Sequence, residues 1–491
     1  MRRRLIKNAI SNVGRGGAAA IIALVLPPVL IRYMHSTNYA VWVLILQVSA
    51  YMGFLDFGLQ TAVGRYIAFA EEKQDYDWRD GIFSTAMAGL CLAATVGMLA
   101  VIIVALFAGH IFPSVPAALL QPMRVAILIA GASTAIGLPA SAWNGVFVGR
   151  QRFEVPAITV ASGKLLSSIG LIAAAMTGHS LVFMACVLAS VNLLTYTAQY
   201  VAFRWLAPGI HYRLGVITQR LVRELSSYCL SLSVWSFSTL LVTGFDLILV
   251  GRFDFSAVPV YSASAVLITF LGGLQTALFG VIMPHSATLQ ASGDSRGLGE
   301  LLLKSTKLAV MFLLITGLPL VVFAGPIIRV WLGAQYAVNG TNILIVLVIG
   351  NMLRLVGVPY ASILVGTGQQ RLVIFGPLAE GFTNLIASIL LGWKFGAIGV
   401  ALGTLVGAIA GLAVTCLYNI PRTRSFMDVP SSRLLKESLG WPVVFALPLV
   451  TASICSPSPQ RQRFLAVACC IFVALCLTLL TQSWRHRNEG V

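Results

Sequence analysis

Seven charged residues sit inside or at the edges of long apolar runs, where a charge is expensive. They are therefore the first candidates for chemistry. Lys164, Arg354 and Glu380 lie deep within such runs; Asp56, Arg65, Arg15 and Asp246 lie near their ends. A charge at mid-bilayer costs about 3 kcal/mol on insertion scales, so it faces a partner or a wet cavity. Arg offers phosphate oxygens a planar fork and Lys a point charge, so a cavity holding Lys164 and Arg354 suits an anion such as phosphate. Arg15 and Arg65 are further basic candidates for the same anion. Glu380 and Asp56, with Asp246, are candidates for a coupling switch that pairs in turn with a base or a proton, or for an internal ion pair, the structural reading of Glu380. Each also has a structural reading. Lys164 can snorkel to an interface, Asp56 and Asp246 can cap helix ends, and Arg15 and Arg65 can serve topology.

Positioning these residues requires membrane-spanning helices. The chain has 491 residues, 58% hydrophobic and only 10% charged, with a mean hydropathy of +0.89. A soluble domain carries about 25% charged residues. The composition excludes a cytosolic enzyme, a disordered scaffold and a secreted disulfide domain. The net charge of +17 is spread between apolar runs, which points to membrane topology rather than nucleic acid. The eight cysteines fall in or beside apolar stretches without zinc or redox spacing, so neither a metal site nor a catalytic thiol is expected.

A span needs about 20 apolar residues. Fourteen are predicted, near 12–32, 39–65, 82–109, 123–147, 156–178, 181–203, 227–250, 260–284, 302–325, 340–366, 372–393, 397–419, 440–455 and 464–483. The basic tail (Arg2, Arg3, Arg4, Lys7) precedes a first span read as uncleaved. An even number of spans puts both termini on one side. Lys and Arg then divide about 24 to 7 in favour of that side, so both termini are expected to be cytoplasmic. The two longest connections, near 204–226 and 420–439, are basic and expected to be partly helical.

Two motifs recur six spans apart. Gly58-Leu59-Gln60-Thr61-Ala62 in the second span returns as Gly273-Leu274-Gln275-Thr276-Ala277 in the eighth. The fourth span ends Val148-Gly149-Arg150-Gln151-Arg152, and the tenth Val365-Gly366-Thr367-Gly368-Gln369-Gln370-Arg371. This predicts a duplicated six-helix unit. An even number of spans per unit makes the repeats parallel, related by an axis along the membrane normal. The fold expected is an all-α polytopic membrane protein of about 14 transmembrane helices. Two parallel-repeat six-helix lobes, 1–225 and 226–425, would surround a central cavity, with an extra helix pair at 426–491. Prolines 27, 28, 139, 284, 319, 359 and 448 fall within spans. Each frees a backbone carbonyl that must find another partner.

Further local patterns carry a family likeness: Asn8-Ala9, then Leu30-Ile31-Arg32-Tyr33, Tyr39-Ala40-Val41-Trp42, Leu55-Asp56-Phe57-Gly58-Leu59 and Arg65-Tyr66. Asp246-Leu247-Ile248-Leu249-Val250-Gly251, Val260-Tyr261 and Ile328-Arg329-Val330-Trp331-Leu332-Gly333-Ala334-Gln335-Tyr336 follow. In this order the chain resembles the Wzx-like polysaccharide and O-antigen flippases of the multidrug/oligosaccharidyl-lipid/polysaccharide (MOP) exporter superfamily over most of residues 5–420. It departs from the family at Tyr39-Ala40, where members often have Tyr-Gly. The resemblance implies a transporter without covalent chemistry in the bacterial inner membrane. Its cargo would be an oligosaccharide on undecaprenyl pyrophosphate, moved from the cytoplasmic to the periplasmic leaflet for polysaccharide synthesis. It implies alternating access driven by a proton or sodium gradient, no bound cofactor, and partners among membrane lipids, polysaccharide polymerase and chain-length proteins.

Two other classes compete. A multidrug cation exporter of the same superfamily would favour twelve spans and acidic sites, against the Lys164/Arg354 pair. A membrane polymerase or ligase would need a large periplasmic loop or an acid/base constellation. Here the periplasmic connections are short, and His110, His179 and Asp254 are scattered.

Overall fold

The computed structural model describes residues 22–427 and 429–440. All regular structure among them is helical. Eleven helices are long and apolar enough to cross a membrane, because only helices and closed barrels satisfy the backbone within lipid. They are α2 (Ser36–Glu72), α3 (Tyr76–Ile111), α4 (Ala117–Gly149), α5 (Glu154–Met176), α6 (Leu181–Leu206), α7 (Ser236–Phe253), α8 (Phe255–Ala291), α9 (Ser295–Val322), α10 (Ala334–Gly366), α11 (Arg371–Phe395) and α12 (Ala397–Met427). The shorter apolar helix α1 covers Ile22–Tyr33. They correspond one for one to predicted spans 1–12. Spans 13 and 14, the N-terminal tail and Arg15 lie outside the described residues.

Most helices run past the predicted spans into polar sequence. Apolarity marks only the lipid-embedded part, whereas caps set the true ends. The helix that begins α3 starts where the Asp75 carboxylate accepts from the Trp78 N–H at 3.0 Å; α9 starts where Asp294 accepts from Gly297 N–H at 2.8 Å. Each cap follows a left-handed residue, Gln74 or Gly293. Two further left-handed pairs, Gln151 with Gly368 and Gly178 with Gly396, recur at the same spacing of about 218 residues. The turns thus repeat with the period of the sequence motifs.

By compactness the chain divides into two units, Met1–Ala263 and Ser264–Val491, with the division inside α8. In the first, Val63 and Ile67 of α2, Phe83 and Leu90 of α3, Phe147 of α4, Phe203 of α6 and Leu225 form one core. Gly145 and Gly149 let α4 lie against the α2 backbone; an added Cβ at Gly149 would be 2.6 Å from the Gly64 oxygen. In the second unit, Ile282 of α8, Leu302 of α9, Ile363 of α10 and Met427 of α12 make the equivalent core. Gly366, the repeat counterpart of Gly149, lies against α8: a Cβ there would be 2.3 Å from the Met283 oxygen.

The two long connections are partly helical and docked. Arg79 donates to the Gly209 carbonyl and pairs with Asp80 at 2.9 Å, both side chains being buried. Ser84 Oγ accepts from Arg213 N–H at 3.0 Å. Arg150 pairs with Glu71 at 2.6 Å and caps the Leu206 carbonyl. In the second unit Thr423 meets the Tyr360 hydroxyl at 3.0 Å, and Val429 and Leu434 join the core.

Candidate functional site

Three of the candidate residues, Asp56, Asp246 and Arg354, stand where helices are interrupted. Helix α2 is straight to Ala50, tightens into a 3₁₀ turn over Tyr51–Asp56, and breaks at Phe57 and Gly58, whose φ values are 47° and 78°. It resumes as Leu59–Glu72. Asp56 therefore stands midway along a 37-residue helix rather than near its end, since the helix continues well beyond the apolar run. Its Oδ1 accepts from Ser141 Oγ at 2.8 Å and its Oδ2 faces the Gln60 N–H at 3.4 Å. This is the capping role weighed for it, with a tie to the segment of α4 that follows Pro139.

Asp246 opens the helix Asp246–Phe253, after a π-helical turn over Leu240–Gly244. It is buried and accepts from the Tyr261 hydroxyl at 3.1 Å. The Gly244 carbonyl, released by that turn, accepts from Gln47 Nε2 at 2.9 Å and from the Tyr51 hydroxyl. Arg65 is exposed, with its guanidinium 5.0 Å from the centre of the Tyr228 ring. Tyr66 meets Tyr228 and Trp78 edge-on.

Lys164 lies at the centre of α5. Ser168, Leu171 and Ala175 share its face at i+4, i+7 and i+11, and all three are buried. Ile158, Leu165, Ile169 and Met176 form the exposed apolar face, turned roughly 100–140° away. Leu166 is exposed with them, and so is Val160 one turn before Lys164, so the exposed Lys164 stands between Val160 on one side and buried Ser168 on the other. It has no ion-pair partner among the described residues.

In the second unit Arg354 is next to last in the helix Ala334–Leu355, before a break that leads into Val358–Gly366. Pro359 has no N–H to offer the Leu355 carbonyl four residues earlier. Gln275 Nε2 supplies the donor instead, at 2.7 Å, so this proline's freed carbonyl is satisfied from α8. Glu380 of α11 packs against α12 at Gly411, where an added Cβ would be 2.9 Å from Glu380 Oε2. Its Oε1 is buried without a hydrogen-bond partner among the described residues. The Arg354 charge acts on Glu380, yet the two form no ion pair within 4 Å among the described residues. The structure thus brings together Asp56 and Ser141, and Asp246 and Tyr261, whereas Arg354 and Glu380 share the second unit without a direct bond among the described residues. Lys164 and Arg354 belong to different units.

Sequence reasoning missed the buried Arg79–Asp80 pair, because Arg79 fits the positive-inside pattern equally well. It also missed Ser141 and Gln275. Pro359 was the signal for the latter, since it announced an orphan carbonyl without naming the donor.

Comparison with known proteins places this arrangement. The model of the family described as "Polysaccharide biosynthesis protein" matches residues 5–290. The chain belongs to this family. It is 22% identical over 409 residues to a Shigella flexneri protein named "Putative O-antigen transporter", covering 81% of this chain and 93% of that one. Among solved structures, "Lipid II flippase MurJ, inward closed conformation" matches with a TM-score of 0.72 at 14% identity, over 98% of this chain and 99% of that one. An inward-facing multidrug resistance MATE transporter of the MOP superfamily matches at 0.67 and 14% identity, over 86% and 99%. The fold of this family member is thus shared with both of these transporters.

Proposed function

We propose that the protein is a flippase that carries an undecaprenyl-pyrophosphate-linked oligosaccharide from the cytoplasmic to the periplasmic leaflet for O-antigen or exopolysaccharide synthesis. The observation that carries this reading is the pair of basic side chains, Lys164 and Arg354, each within a membrane-crossing helix and without an ion pair among the described residues. A guanidinium or ammonium in such a setting is stabilised by an anionic cargo. The polysaccharide family membership and the O-antigen transporter relative support the same cargo.

In this reading two lobes, 1–225 and 226–425, rock about a central cavity, with 426–491 as an added helix pair. Both termini are cytoplasmic and the membrane is the bacterial inner membrane. Lys164 and Arg354 hold the pyrophosphate, with Arg15 and Arg65 as further basic contacts. Glu380 competes with cargo for Arg354 and takes a proton when Arg354 is engaged, which couples transport to an ion gradient. Asp56 and Asp246 are the remaining candidates for coupling. Polysaccharide polymerase and chain-length proteins act downstream.

The test is leaflet transfer of a labelled undecaprenyl-pyrophosphate oligosaccharide in proteoliposomes, read by access of an external glycosidase with and without a proton gradient. Parent protein transfers the lipid, and Arg354→Ala and Lys164→Ala each lower the rate at least tenfold while remaining folded. Transfer unaffected by either change removes these residues from the site. The second reading is a multidrug cation exporter; efflux of an organic cation without lipid transfer selects it.

A further inference from the structure

The repeated pentapeptide places Gln60 and Gln275 at equivalent positions, and the helix breaks they face are satisfied by different donors. In the first unit the α4 break needs no glutamine. Ser141 Oγ donates to the Leu138 carbonyl at 2.7 Å and lies 2.8 Å from the Asp56 carboxylate. In the second unit Gln275 is fully buried. Its Nε2 donates to the Leu355 carbonyl at 2.7 Å, the carbonyl that Pro359 leaves without an N–H partner.

The surroundings leave that carbonyl little alternative. Leu271, Leu313 and Leu355 form an apolar cluster, with Met352, Val356 and Val358 packed against it. Gly272, one turn before Gln275, brings α8 close to the Leu355 side chain. A buried carbonyl in apolar surroundings stays paired wherever a donor reaches it. Leu355 directly follows Arg354, whose own carbonyl accepts from the Gly357 N–H at 3.2 Å across the break. The glutamine bond and this turn together fix the backbone that carries the guanidinium.

We propose that Gln275 is a positioning residue that braces the Pro359 break of α10 and so sets where Arg354 is presented. Its action on transport rests on the reading of Arg354 as a cargo-binding residue; its action on the break does not. The bond replaces one that the α10 backbone cannot make for itself. Restoring the missing N–H at position 359 therefore makes the glutamine dispensable.

The test uses the full-length chain in a cysteine-free background, with spin labels at Ile349→Cys and Val365→Cys on the two sides of the break, both exposed. Gln275→Leu broadens the inter-label distance distribution. The same substitution in a Pro359→Ala background leaves the distribution as narrow as Pro359→Ala alone, because the Leu355 carbonyl then has a donor in its own helix. In the proteoliposome assay Gln275→Leu raises the half-saturating lipid concentration about tenfold, the size expected from one buried hydrogen bond, with the maximal rate nearly kept. An unchanged distribution in Gln275→Leu, or equal broadening in both backgrounds, overturns the brace. If the labels behave as expected while the parent moves no lipid, the brace stands and the flippase reading falls.

Discussion

Gly366→Ala should destabilise the second unit measurably, although it adds one methyl group. The added Cβ would lie 2.1 Å from Ser286 Oγ and 2.3 Å from the Met283 carbonyl oxygen. The hydroxyl cannot simply rotate away, since Ser286 is fully buried and donates to that same carbonyl at 2.9 Å. The backbone oxygen has no rotamer at all, so α8 and α10 must part by about 1 Å. Overpacking of this kind costs about 1–3 kcal/mol. Replacing a helical Gly by Ala returns at most about 1 kcal/mol. With the full return the loss is about 0–2 kcal/mol, and the clash with a backbone oxygen puts it toward the upper end, seen as a fall of several degrees in the melting temperature of detergent-solubilised protein by fluorescence-detected size exclusion. Gly273→Ala is the matched control, because it lies in the same helix pair's neighbourhood with nothing within 4 Å of its added Cβ; it should melt at or above the parent temperature. Equal melting of Gly366→Ala and parent would refute the close approach of α8 to α10.

Two further outcomes follow from the geometry. Lys164→Cys should react with a membrane-impermeant maleimide, whereas Ile169→Cys, on the apolar face of the same helix, should stay unlabelled; equal labelling would place Lys164 on the lipid face. Asp80→Leu should strand the buried Arg79 guanidinium, at a cost of about 3–5 kcal/mol. Limited proteolysis should then cut the connection near residue 209 faster than in the parent, and Arg79→Met/Asp80→Leu should recover much of the resistance.

The helical architecture was legible because apolar length is a strong signal. All twelve spans that fall on described residues have their helix, and Pro359 correctly announced an orphan carbonyl. Contacts made through packing were not legible. Nothing in a linear reading says that Gly411 opens room for Glu380, or that the Gly244 carbonyl is met by Gln47 and Tyr51 nearly 200 residues earlier. Asp56 looked near-terminal because the predicted span stops at residue 65, while the helix goes on through Glu72. Arg79 shows the opposite failure. Charge counting gave it a topological role, and that sufficient explanation concealed its burial against Asp80.

The pentapeptide shared by α2 and α8 stands differently to the two bends. In α2 the bend at Phe57 and Gly58 falls on its first residue; in α8 the interruption falls after it, between Phe279 and Ile282. Relative to the common sequence, the break has moved by about eight residues, or ~12 Å of helix rise. The same change therefore meets different backbones in the two copies: Gly58→Ala falls on a left-handed turn, Gly273→Ala on continuous helix.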